Sequence, residues 1–132
     1  MEPVNIAKFW VIVDPYSAHL SDHINILSFR FSQTNRGHVQ NVDLLRKHTA
    51  LRLVFSELKQ EPSSQEATKL FPEKTLDELK NKVKELESLM KRVMHSYNHG
   101  SVEVSLFSGA LTCLSCITDA INSISRNEPQ SE

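Results

Sequence analysis

The sequence predicts an all-α fold, an up-down-up-down four-helix bundle with a long, coiled-coil-like third helix and an apolar N-terminal segment of undecided type. Three observations carry that prediction. Leu76, Leu79, Val83, Leu86, Met90, Val93 and Tyr97 alternate at spacings of three and four, which marks one face of a helix. Apolar residues recur with the same period over 16–31 and 44–58, and they cover most of the helix circumference over 106–124. Short connections between consecutive helices favour antiparallel neighbours. A chain of 132 residues fits one domain with one core. The expected division is an apolar segment 1–14, a bundle 15–125 and a disordered tail 126–132.

The first element is undecided. Residues 6–13, IAKFWVIV, are nearly all apolar, and so short a run suits a buried strand or a buried helical piece equally. Asp14-Pro15 then punctuates the chain: Asp14 suits an N-cap and Pro15 the first turn of a new helix. Helix one is expected over 15–35, with Tyr16, Leu20, Ile24, Leu27 and Phe31 on one face and Gly37 as its C-cap. Helix two is expected over 39–60. Leu44, His48, Leu51, Phe55 and Leu58 form its stripe, widened by Val42, Leu45 and Val54. The linker PSSQEATKLFP is polar except for Leu70 and Phe71, which are expected to tack it to the body.

Helix three opens on Thr75-x-x-Glu78, a capping-box pattern, and Gly100 suits its stop. Glu78 with Lys82, and Glu87 with Lys91, stand at the favourable i,i+4 spacing. Helix four is expected over 103–125, apolar on most sides and therefore buried, although VEVSL at 102–106 alternates as a short strand would.

Charge excludes some functions. Net charge is -1 and the basic residues are interleaved with acidic ones, so no electrostatic footprint for nucleic acid stands out. The uncharged run Val104 to Thr118 would span roughly 22 Å as a helix, short of a ~30 Å hydrocarbon core. No membrane partner is expected. Two cysteines are too few for a disulfide framework, and MEPVNIAKFW lacks a basic region before its apolar run. A reducing compartment, cytoplasm or nucleus, is expected.

Several constellations invite a chemical reading. His19 and His23, and likewise His95 and His99, are spaced i,i+4, as two ligands of one metal would be. The two pairs should lie at opposite ends of the bundle, whereas His38 should lie near His95 and His99 and could complete a three-His zinc site with them. Cys113-x-x-Cys116 falls mid-helix in apolar company, where buried thiols are expected rather than a redox pair at a helix N-terminus. The P-loop, G-x-G-x-x-G, G-x-S-x-G and HExxH patterns do not occur.

Arg92 and His99 form an R-x6-H pattern at the end of the third of four helices. This resembles the HEPN family of helical ribonucleases and nucleotide-binding domains, whose cleft usually forms in a dimer. The resemblance implies phosphate binding by Arg92 and action of His99 on a 2′-hydroxyl. Set beside it, the leading expectation is a non-enzymatic interaction subunit or adaptor without a cofactor. It would assemble with itself or a protein partner through the seam of Leu76, Leu79, Val83, Leu86, Met90, Val93 and Tyr97. The competing expectation for that seam is ordinary core within the chain.

Overall fold

The computed structural model describes residues 6–34, 37–60 and 71–126, without the side chains of 37, 38, 125 and 126. The described residues form four helices and no strand: α1 (Ile6–Phe31), α2 (Gly37–Gln60), α3 (Glu73–Met94) and α4 (Val102–Arg126). Expectations for 1–5, Leu70 and 127–132 lie outside them.

Residues 6–13 are helical and continue without interruption through Pro15, so helix one begins at Ile6 and no separate element starts at Pro15. A proline inside a helix leaves the carbonyl four residues earlier without its donor. Here that carbonyl belongs to Val11, which is 73% exposed, and Pro15 is exposed as well. Water can satisfy the freed group, while Phe9 and Val13 hold the first turns in the core. Asp14, expected as a cap, instead pairs with Lys59 of α2 at 3.0 Å.

Helix α3 begins two residues before Thr75, with Pro72 at its N-cap and no side-chain capping bond. The Thr75–Glu78 capping box is therefore not formed. Lys82 pairs with Glu85 at 3.9 Å instead of Glu78, and no Glu87–Lys91 ion pair is found among the described residues. The helix ends at Met94, with His95 as C-cap, and Gly100 takes φ +86 in the turn that leads to α4. Gly37 opens α2 rather than capping α1, and 102–106 belongs to α4.

The helices close a ring in which α1 touches α2 and α4, and α3 touches the same two. Polar pairs give the directions. Along α1, Asp14, Ser21 and Ser28 meet Lys59, His48 and Asn41 of α2 in descending order. His23 and Arg30 of α1 likewise meet Gly109 and Glu103 of α4. Helix α1 thus runs antiparallel to both neighbours.

Aromatic groups pin the two ends. Phe9, Trp10, Phe55 and Phe71 meet edge to face at 5.0–6.0 Å at one end. Phe71 does tack the linker to the body. Phe31, Tyr97 and Phe107 gather at 6.1–6.4 Å at the other end. Between them the core is aliphatic, and α4 supplies Phe107, Ala110, Cys113, Leu114, Ile117, Ala120, Ile121 and Ile124. Val102–Ile124 is long and apolar enough to cross a membrane, because Glu103 and Asp119 dilute its hydropathy little. Its buried side is core here.

Candidate functional site

The α3 seam is interior. Leu76, Leu79, Val83, Leu86, Met90 and Val93 are buried, and Leu89 joins them. Tyr97 is half-buried beyond the helix end, its ring stacked on Phe31. α2 and α4 cover this face. In this structure the chain's own helices cover that seam.

Arg92 is exposed and lines an open groove of about 410 Å³ between α2 and α3, with Asp43, Lys47, Lys84, Glu85, Ser88 and Leu89. His99 is exposed in the turn after α3 and is not part of that lining. His95 caps α3 while His99 stands beyond the helix, so the i,i+4 helical relation between them is lost. The side chain of His38 lies outside the described residues. Among the described residues no group of three or more His, Cys, Asp or Glu side chains is placed to hold a metal ion.

The cysteines behave as core thiols. Cys113 is buried, Cys116 half-buried, and both are free. Burial, and then the neighbouring Cys116, raises the Cys113 thiol. The Tyr16 phenol, hydrogen-bonded to Cys116, is raised too. At the other end of α1, Arg30 donates to Glu103 at 2.9 Å and holds that carboxyl below its usual range. Burial, with Glu103 nearby, raises Tyr97.

Two histidines have structural roles that spacing alone did not show. His48 is 5% exposed, and its Nε2 lies 3.3 Å from Ser21 Oγ. Burial, and then the Arg52 guanidinium, lowers its pKa to about 4, so the ring is neutral near pH 7. Its place in the Leu44–Leu51 stripe was the signal for burial. His23 donates from Nδ1 to the His19 carbonyl at 2.7 Å. The Nε2–Cδ2 edge of the ring sits against Gly109, where a Cβ would come within 2.7 Å of its Cδ2 and closer still to Nε2.

The bundle leaves several large apolar side chains in water. Val11 (73%), Phe29 (67%), Val39 (70%) and Leu53 (60%) are the most exposed large apolar side chains of α1 and α2. Val42 and Leu45, expected to widen the core stripe of α2, are exposed as well, because that helix buries only the narrower face shared by α1 and α3. No family model matches this chain, and no curated protein or solved structure is similar to it.

Proposed function

We propose that this chain is a non-enzymatic helical interaction subunit that assembles with itself or with a protein partner. Its coiled-coil-like third helix completes an up-down-up-down bundle and serves as the internal keel. The contact surface lies elsewhere, on the outer apolar side chains of α1 and α2. The observation that carries this reading is the exposure of Val11, Phe29, Val39 and Leu53 on a bundle whose core is already filled. Scattered single apolar residues are ordinary on protein surfaces, but several large ones on two adjacent helices suit association. Two unbridged thiols fit a reducing compartment.

Mass measurement of the native protein, purified and captured from cell extract, tests the reading. Species heavier than one 15.0 kDa chain are expected, and they should vanish when Phe29 is replaced by Lys. A solitary chain in both preparations would contradict it.

A further inference from the structure

Helix α1 meets α2 through polar side chains at a fixed step. Asp14, Ser21 and Ser28, seven residues apart, reach Lys59, His48 and Asn41 at 3.0, 3.3 and 2.6 Å. A seven-residue step returns to the same side of a helix, so these are three rungs along one seam. On its other side α1 is close-packed. The edge of the His23 ring sits against Gly109 of α4, and Arg30 donates to the mostly buried Glu103.

The middle rung is the buried one. His48 is the one buried polar side chain among the described residues, whereas both members of the Asp14–Lys59 rung are about half exposed. A half-exposed ion pair holds a seam weakly. Nothing around His48 would balance a charge on its ring. On α2 the Arg52 guanidinium repels it, while Asp43 and Lys47 line the groove on the α3 side. On α1 the ring faces the uncharged Ser21. Asp14 stands ~10 Å further along that helix, held by Lys59, and Asp22 is exposed. The other titratable groups in or packed against the core, the Cys113 thiol and the Tyr16 and Tyr97 phenols, are all neutral in acid. A protonated ring can still donate to Ser21, but its charge is relieved only by water, and the seam able to admit water is the polar one.

We propose that the α1–α2 seam is an acid-operated gate: protonation of His48 parts α1 from α2 at the Ser21 rung while α1 stays seated on α4. In the closed seam the ring takes its proton at about pH 4, and in the open seam at 6.5, as a free imidazole does. Opening is therefore unchanged above pH 6.5 and favoured progressively below it, by roughly a hundredfold at pH 4. The gate stands apart from the interaction reading above and needs no partner.

Thiol labelling with a disulfide reagent that stays active in acid, dithiodipyridine, is the test. The reporters are Leu51→Cys on α2 and Val13→Cys on α1, both fully buried, each in a chain whose half-buried Cys116 is replaced by Ser. Rates are read relative to the unfolded chain at the same pH. Labelling at position 51 or 13 should rise about a hundredfold from pH 7 to pH 4. The buried Cys113 of α4, beside α1, should rise no more than a few-fold. His48→Gln should remove most of the rise, and Arg52→Glu, at an exposed site, should shrink it at least tenfold. Labelling of Cys113 in step with the reporters would mean that the whole bundle unfolds, and it overturns the gate. So does a rise that survives both His48→Gln and Arg52→Glu, or no rise at all.

Discussion

His48 occupies a core position with a side chain that must stay uncharged to remain there. Its pKa of about 4 lies below the 6.5 of a free imidazole, so between those values the unfolded chain binds a proton that the folded chain refuses. The stability this contributes is complete above about pH 6.5 and is lost as pH falls toward 4. Chemical denaturation across that window should show a loss of roughly 2 kcal/mol, solvent screening included, and His48→Gln should flatten the slope. An unchanged slope in the variant would assign the acid lability to other groups. Gly109 makes a second claim at this scale. At an open helix site Gly→Ala gains about 1 kcal/mol. Under the His23 ring the same change is expected to cost about 1–3 kcal/mol, as overpacking does. His23→Ala in the same chain should recover most of that loss, and additive effects in a double-mutant cycle would refute the contact.

Among the elements, α3 was the most legible, because its alternate spacing survives any local detail. Six of its seam residues are buried as one face. Its ends were not legible: Thr75 and Glu78 have the right spacing for a capping box, but the helix starts earlier, at Glu73 after the N-cap Pro72. Leu86 is fully buried in the seam, so Leu86→Ala should cost about 2–5 kcal/mol in equilibrium unfolding. Leu86→Asp should prevent stable folding altogether, and a native melting profile in that variant would disprove the packing. Helix α1 was misjudged for a physical reason. Pro15 suits a helix start, yet tertiary burial of Phe9 and Val13 on the far side carries the helix through it. Since the proline removes one helix bond on the exposed side, Pro15→Ala should raise the unfolding midpoint, by an amount of order 1–3 kcal/mol. A drop in the midpoint would show that the ring is needed where it stands.

At the level of the whole molecule, the sequence revealed which segments are helical better than which faces are free. Helices α1, α2 and α4 carry apolar residues on more than one side, and a single sequence does not say which side meets a neighbour. Once α1 is known to touch α2 and α4, its outer line of Val11, Ala18, Ile26 and Phe29 is left over. Val42 and Leu45 of α2 are left over in the same way. Arg92 and His99 have a suggestive spacing, but spacing across a helix end does not fix where the second residue goes. The central claim is that the α3 seam is interior, and the proposal built on it is that exposed apolar side chains such as Phe29 make the contacts in self-assembly. Hydroxyl-radical footprinting of the native chain, dilute and concentrated, tests both halves at once. Met90 should stay unlabelled in each sample, while Phe29 should be labelled in the dilute sample and protected in the concentrated one. Ready labelling of Met90 in the dilute folded chain, or labelling of Phe29 that does not change with concentration, would contradict the claim.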